Sequence, residues 1–195
     1  MKKKRRALND IYKTFEAKTS DYKKNAACEK GCGFCCKNAG SIDITTLEGL
    51  AIRKVMKEFP RSRQKTLTKL FQQEIKKREN KVIVPCPFLM KNNACMIYEA
   101  RPFSCRRVYS THICTRKNPP VVNRRVMELA EQSIKGLQQL DINGYSGHLS
   151  FILYMLSSPA FLNTYENGDF KPEEVMDFGK AHKIVINKMM VQAGN

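Results

Sequence analysis

The most distinctive stretch of the chain is Cys28-Glu29-Lys30-Gly31-Cys32-Gly33-Phe34-Cys35-Cys36, in which four cysteines fall within nine residues. Two glycines lie between them, and a glycine lets the backbone bend tightly because it has no Cβ. Closely spaced thiols on such a loop can converge on one metal ion or cluster. The stretch therefore predicts an irregular metal-binding centre.

Four further cysteines follow at near-even intervals, so that all eight lie between positions 28 and 114 of the 195-residue chain. Thiolates are soft ligands, which favours zinc and iron–sulfur clusters over hard cations. Eight thiolates suffice for two four-thiolate sites, although the spacing does not assign each cysteine to a site. The candidate metal ligands are Cys28, Cys32, Cys35, Cys36, Cys86, Cys95, Cys105 and Cys114.

A disulfide scaffold is the competing interpretation of so many cysteines. The basic start Met1 to Arg6 has the charge of a signal peptide, but no apolar segment follows it. We therefore expect a cytoplasmic protein, and the cytoplasm disfavours disulfides. No apolar run reaches the roughly 20 residues that span a bilayer, so we expect no transmembrane segment.

Basic residues and a histidine lie close to the later cysteines. Arg101, Arg106 and Arg107 flank Cys105. Positive charge beside thiols lowers their pKa and stabilises an anionic cluster. The alternative is a structural arginine that pairs with Glu99. His112 could replace a thiolate two residues before Cys114, although a hydrogen-bonded histidine is the favoured interpretation.

The rest of the pattern predicts a mainly α fold, a single helical domain around the cysteine-rich centre. Leu8, Ile11, Tyr12 and Phe15 recur at the spacing of one helical face. Thr45 and Glu48 have the spacing of a capping box, which marks a helix start. Further helices are expected with Leu67, Leu70, Phe71 and Ile75 inward, from Val122 to Leu140, from Leu149 to Leu156, and with Val175, Phe178, His182, Val185, Ile186 and Met189 on one face.

Only short extended segments are expected. Ile42-Asp43-Ile44 suits one, and a small β-hairpin is expected from Val82 to Tyr98, limited by Pro85 and Pro87. The predicted organisation is a basic amphipathic N-terminal helix at 1–25, a cysteine-cluster metal-binding domain at 26–117, and a C-terminal helical part at 118–195 packed on it.

The formal net charge is +17, and most of the excess lies in two stretches. Residues 1–25 carry nine Lys and Arg against three acids, and residues 53–81 carry eleven against three. Such blocks attract anionic partners, here an acidic protein or a nucleic acid. Lysine-rich helix faces that are simply solvated are the alternative.

The segment Cys32-Gly33-Phe34-Cys35-Cys36, preceded by Cys28-Glu29-Lys30-Gly31, resembles the signature of the CxxCxxCC cysteine-cluster family. The resemblance continues in Cys86-Pro87-Phe88-Leu89, in Cys95 to Pro102 and in Cys105-Arg106. It covers residues 25–115, with the spacing from Cys28 to Cys32 one residue longer than the family name implies. The resemblance implies a zinc- or iron-chelating domain, commonly an iron–sulfur protein, and kinship with flagellin lysine N-methylases.

Two functions stay open at this point. The first is a metal-binding protein whose eight cysteines hold zinc or an iron–sulfur cluster, with [4Fe–4S] the favoured type, in a redox or group-transfer role. The alternative is a zinc-stabilised basic module that binds nucleic acid or another anionic partner. As an enzyme the protein would be an iron–sulfur oxidoreductase or resemble a protein lysine methylase. The chain has no Walker loop or Rossmann glycine fingerprint, and no catalytic residue is identified.

Overall fold

The computed structural model describes residues 1–29, 31–38, 41–80 and 82–171, together with positions 174, 177 and 180. Helices dominate these residues, as the sequence predicts. The expected last helix, with Val175, Phe178, His182, Val185, Ile186 and Met189 on one face, lies outside the described residues. The elements are α1 (Lys2–Lys18), α2 (Ser20–Lys24), α3 (Phe34–Asn38), β1 (Asp43–Thr45), α4 (Thr46–Met56), α5 (Arg61–Glu79), α6 (Phe103–Arg106), α7 (Arg124–Leu140), β2 (Ser146–His148), α8 (Leu149–Met155) and α9 (Pro159–Asn167).

The predicted amphipathic helix is present as α1, which ends at Lys18 rather than at residue 25, and its apolar stripe faces α7. Leu8, Tyr12 and Phe15 are buried there, and they form one hydrophobic cluster with Val126 and Ala130 of α7. The basic side chains at the start of α1 remain largely on its outer surface. The helix is therefore held by burial of one stripe, while most of its charge stays in water.

The capping box at the start of α4 is also confirmed. The Glu48 backbone N–H donates to the Thr45 hydroxyl at 3.1 Å, and the Thr45 backbone N–H donates to the Glu48 carboxylate at 2.8 Å. Helix α4 contributes Leu47 to the cluster around α1 and Ile52 to the cluster around α8. It thus links the two halves of the core.

Helix α5 packs along α8 and follows the predicted pattern only in part. Leu67 and Phe71 are buried, but Leu70 is 37% exposed, so its expected inward position is wrong. Glu74 is buried in its place along the stripe, because its carboxylate accepts hydrogen bonds from Arg78 and Ser150. A buried carboxylate with partners can occupy a core position that periodicity assigns to an apolar residue.

The two strands form one antiparallel sheet, with Ile44 opposite Gly147. The expected extended segment at Ile42 to Ile44 is confirmed, although its partner lies about a hundred residues away. The expected hairpin from Val82 to Tyr98 is reduced to a turn that a single antiparallel bridge closes, between Leu89 and Cys95. Among the described residues, Val82 and Ile83 have no strand partner, and they are about half exposed.

Helix α9 is not expected from the sequence, because Ser157-Ser158-Pro159 is typical of a break. Pro159 instead occupies the first turn of the helix, where its missing N–H costs nothing. In the part of the chain that the structure describes, no helix is both long and apolar enough to cross a bilayer.

Candidate metal centre

The cysteine-rich loop turns at two glycines and then enters the short helix α3. Gly31 and Gly33 have φ angles of 90° and 58°, in the left-handed region that glycine tolerates best. A Cβ on Gly33 would lie 3.0 Å from the Cβ of Asn93, in the turn just before Cys95. The early cysteine loop therefore packs closely against the later cysteine segment.

Cys35 and Cys36 are consecutive residues of α3, and this fixes their relative directions. Successive residues of an α-helix are rotated by about 100° around its axis, since a turn takes 3.6 residues. The two thiols consequently leave the helix in different directions. After burial, the thiols that raise the pKa of each differ in part: Cys114 and Cys28 come first for Cys35, Cys95 comes first for Cys36, and Cys32 contributes to both.

A first set of cysteines surrounds the Cys28 thiol. The Ser110 backbone N–H donates to the Cys28 Sγ at 3.2 Å, and the Ala27 N–H donates to the Ser110 carbonyl at 2.8 Å. This pairing brings the segment that carries Cys114 beside the loop. Burial, and then the nearby thiols of Cys114, Cys28, Cys36 and Cys32, raise the pKa of Cys35 to about 11.

A second set of cysteines is anchored on the core. The Cys86 backbone N–H donates to the Cys36 carbonyl at 2.7 Å, and Cys86, Cys95 and Cys105 pack against the hydrophobic cluster around α8. Burial raises the pKa of Cys86 well above its usual value. Burial, and then the thiols of Cys36 and Cys95, raise the pKa of Cys105 to about 12.

The eight candidate ligands can be described as two adjoining groups, which meet where Cys36 neighbours Cys32 and Cys35. The outer group is Cys28, Cys32, Cys35 and Cys114. The inner group is Cys36, Cys86, Cys95 and Cys105. Cys28 and Cys32 are exposed, whereas the other six residues are partly buried, and none of the eight is in a disulfide.

The thiols of each group lie near one another, but their sulfur atoms do not point to a common centre. Among the described residues, no three His, Cys, Asp or Glu side chains are arranged as a metal ion requires. Binding a metal therefore requires the sulfur atoms of a group to move toward one another. Their chemistry fits zinc or iron, because both metals are bound in proteins by sets of four thiolates.

One of the three arginines near Cys105 faces the thiols. Arg101 lowers the pKa of Cys95 and Cys105, opposing the larger effect of burial, and it stacks on the Tyr98 ring at 4.0 Å. Its buried Nε has no hydrogen-bond acceptor among the residues described. A buried N–H without an acceptor is costly, and a thiolate sulfur beside it would supply one.

Arg106 has a structural role instead. Its guanidinium pairs with Glu16 at 2.5 Å and donates to the backbone carbonyls of Arg101 and Glu99. The alternative of a structural arginine near Glu99 therefore describes Arg106, although the contact is to the Glu99 backbone. Arg107, like Arg101, has a buried Nε without an acceptor in the described ranges.

The histidines are placed differently from one another. His112 Nε2 lies 3.0 Å from the Pro119 carbonyl oxygen, so its ring is held by the backbone, as the favoured interpretation expects. His148 is buried at the start of α8, where its Nδ1 accepts from the Ser150 N–H at 3.3 Å. Burial, and then Arg78, lower the pKa of His148 to about 3, so the ring is neutral near pH 7.

Sequence reasoning missed the buried polar cluster of Glu74, Arg78, His148 and Ser150. Its members lie beside the inner group, because a narrow cavity is lined by Cys36 and Cys86 together with Glu74 and His148. The spacing of Glu74 and Arg78 on one helix was the available signal. No sequence signal near Glu74 and Arg78 indicates that they contact His148 and Ser150, about 75 positions later.

Residues 27–134 match the model of a family described as "CxxCxxCC: Putative zinc- or iron-chelating domain". The match spans more than half of the chain. The chain belongs to the CxxCxxCC family. Membership in the CxxCxxCC family indicates a zinc- or iron-chelating role, and the chain carries eight cysteines, none of them in a disulfide. The CxxCxxCC match continues past the last cysteine into α7, beyond the 25–115 of the sequence resemblance. No curated protein and no solved structure matches the chain.

Proposed function

We propose that this protein is a metal–thiolate protein whose eight cysteines bind zinc, or iron in the form of an iron–sulfur cluster. The observation that carries the proposal is the gathering of all eight free thiols around α3, although the cysteines span residues 28–114. Unpaired thiols in such number fit a reducing compartment, and the cytoplasm remains our expectation.

The chain contributes three things to such a centre. The cysteines supply soft anionic ligands, the core beneath Cys86, Cys95 and Cys105 fixes the position of the inner group, and Arg101 offers positive charge and an N–H donor. Zinc bound by four thiolates supplies rigidity, whereas an iron–sulfur cluster supplies one-electron chemistry. An iron–sulfur cluster is thus the basis for a redox role.

Metal and sulfide analysis of protein purified without oxygen tests this function. Iron with stoichiometric sulfide and a visible absorbance band would support the redox form, and colourless protein with stoichiometric zinc would support the structural form. A folded chain that holds neither metal, even after reconstitution with Zn²⁺ or with iron and sulfide, would reject the proposal.

A second candidate function is favoured by the outer face of α5. None of the ion pairs among the described residues involves its six exposed basic side chains. They are Arg61, Arg63, Lys65, Lys69, Lys76 and Lys77. Arg61, Lys65, Lys69 and Lys76 share one face of the helix, and this face could meet phosphates while the cysteine centre holds the fold.

The salt dependence of nucleic-acid binding tests this second function. For duplex DNA the binding constant should fall with salt, with a slope of about 0.9 for each phosphate contacted. The double variant Lys65→Gln/Lys69→Gln should reduce the slope by about 2, while Lys91→Gln, at an exposed position in the turn before Cys95, serves as the control. Absence of binding even at low salt would exclude this function.

A further inference from the structure

We propose that the outer group and the inner group are two separate four-thiolate metal sites, of which the outer holds an exchangeable thiophilic cation and the inner a permanent one. This inference rests on the proposed function that the cysteines bind metal. It assigns each cysteine to a site and gives the two sites different roles.

The separation follows from the geometry of α3. Cys35 and Cys36 leave the helix about 100° apart, so adjacent cysteines serve different neighbourhoods. The Cys36 carbonyl accepts the Cys86 N–H at 2.7 Å, which ties Cys36 to the inner group. Cys35 interacts most strongly with the thiols of Cys114 and Cys28, ahead of Cys36 and Cys32.

The inner group is held by packing. Cys86, Cys95 and Cys105 all contact the hydrophobic cluster around α8, and the bridge between Leu89 and Cys95 restrains the turn between them. Cys105 lies on α6, and its N–H donates to the Pro102 carbonyl at 3.0 Å. All four inner cysteines are at least partly buried, so a competing ligand reaches their sulfur atoms less readily than those of the exposed Cys28 and Cys32.

The outer group is less firmly supported. Cys28 and Cys32 are exposed, and the hydrogen bonds around them join Cys28 and Ala27 to Ser110 and the Cys32 N–H to the Glu29 carbonyl. A competing ligand can reach their sulfur atoms from solvent. In the exchange, a donor atom of that ligand replaces a cysteine thiolate on the metal, the released thiolate takes up a proton, and no electron is transferred.

Release of zinc to a chelator tests the assignment. The full-length chain is reduced, stripped of metal, loaded with Zn²⁺ alone and mixed with excess EDTA, and zinc release is followed over time. We expect two equivalents in two resolved phases, with the faster phase from the outer group, because two of its four cysteines are exposed to the chelator. Release of all zinc in one phase would overturn the difference in lability.

Two neighbouring substitutions form a matched pair. Cys35→Ser should remove the fast equivalent and leave the slow one, whereas Cys36→Ser should remove the slow equivalent and lower the melting temperature. Cys28→Ser, at an exposed position, should repeat the Cys35→Ser result and does not depend on the stability of the core.

The outcomes distinguish failure of the two-site assignment from failure of the proposed metal-binding function. If the folded wild-type chain takes up neither Zn²⁺ nor iron with sulfide, the proposed function is wrong. A wild-type chain that binds two equivalents, but loses both in Cys28→Ser or Cys35→Ser with its circular dichroism unchanged, keeps the function and overturns the two-site assignment.

Discussion

The backbone N–H of Cys86 donates a 2.7 Å hydrogen bond to the backbone carbonyl of Cys36. This bond joins the early cysteine loop to the later cysteine segment, and it involves main-chain atoms only. Because it is independent of the thiols, it can hold the two segments together before a metal binds. The centre is therefore partly organised by the fold itself, and metal ligation adds to that organisation.

Replacing Gly33 by alanine should destabilise the cysteine loop. Its φ of 58° costs a residue with a Cβ about 1–2 kcal/mol, and the new Cβ would lie 3.0 Å from the Asn93 Cβ. We expect the free energy of unfolding to fall by at least ~1 kcal/mol, together with weaker zinc binding. Denaturant unfolding and a zinc competition assay measure the two effects.

Gly136→Ala is the matched control for this substitution. Gly136 lies within α7, where a Cβ would make an ordinary 3.6 Å contact with Ile11. Alanine is favoured over glycine inside a helix by about 0.5–1 kcal/mol, so this variant should be stabilised. If Gly33→Ala proved as stable as Gly136→Ala, the close approach of the loop to Asn93 would be refuted.

Arg101→Gln should weaken metal binding at the inner group without unfolding the chain. The Arg101 guanidinium lowers the pKa of Cys95 and Cys105, and its buried Nε–H is available to donate a hydrogen bond to sulfur. Loss of such a neighbour typically lowers metal affinity by about 10-fold or more. Competition with a chelator measures the affinity, and circular dichroism verifies the fold.

Two controls distinguish the specific contribution of the Arg101 guanidinium from a general effect of removing one positive charge. Arg61→Gln removes the same charge from the exposed start of α5 and should leave metal affinity unchanged. Arg101→Lys keeps the charge but lacks the planar guanidinium, and it should recover part of the affinity. Equal zinc affinity of Arg101→Gln and wild type would show that Arg101 does not support the site.

The local sequence pattern is enough to predict those elements that form through contacts between residues close together in the chain. The stripe of Leu8, Tyr12 and Phe15 and the capping box of Thr45 and Glu48 depend on spacings within one or two helical turns, and both are confirmed. The candidate ligands were identifiable for a similar reason, because a cysteine is recognisable by type wherever it lies.

The remaining features depend on pairings that are distant in sequence. Strand β1 finds its partner about a hundred residues later, and no local signal encodes that choice. The prediction for Leu70 is wrong because Glu74 takes a buried position once Ser150 and Arg78 supply its hydrogen bonds. The proposed division of the cysteines depends on the direction in which Cys35 and Cys36 leave α3, which the spacing of the cysteines does not give.

Glu48 should be among the most sensitive residues of the core. Its carboxylate is buried and accepts from the Tyr12 hydroxyl at 2.6 Å, from the Phe103 N–H at 2.8 Å and from its own helix cap. Glu48→Ala would leave buried donors unsatisfied at about 1–3 kcal/mol each, so we expect a loss of at least ~3 kcal/mol. Denaturant unfolding measures this loss.

A graded series checks the origin of the Glu48 effect. Tyr12→Phe removes one of the three donors and should cost about a third as much as Glu48→Ala. Glu131→Ala changes an exposed glutamate of α7 and should alter stability by less than ~0.5 kcal/mol. A loss below ~1 kcal/mol in Glu48→Ala would contradict the role of the carboxylate as a shared acceptor.

Asp141 should make stability depend on pH in the opposite sense to an ordinary carboxylate. It follows α7, is 4% exposed, and accepts from the Leu47 N–H at 2.8 Å and from the Tyr165 hydroxyl at 2.5 Å. Burial raises its pKa to about 6, although these hydrogen bonds oppose the rise. The folded state therefore holds the proton more tightly than the unfolded state does.

With a raised folded pKa, the contribution of Asp141 is fully present below about pH 4 and is lost as pH rises through about 6. A tenfold difference in proton affinity between the folded and unfolded states corresponds to about 1.4 kcal/mol, so Asp141→Asn should gain ~2–3 kcal/mol relative to wild type between pH 4 and pH 7. Denaturant unfolding of both proteins at several pH values measures this difference, in which shared effects such as metal release in acid cancel. Tyr165→Phe removes a hydrogen bond that lowers the pKa of Asp141. In a Tyr165→Phe background, the stabilisation by Asp141→Asn should therefore continue to increase to a higher pH. Parallel stability curves for wild type and Asp141→Asn would show that the buried carboxyl group is not the source of the dependence.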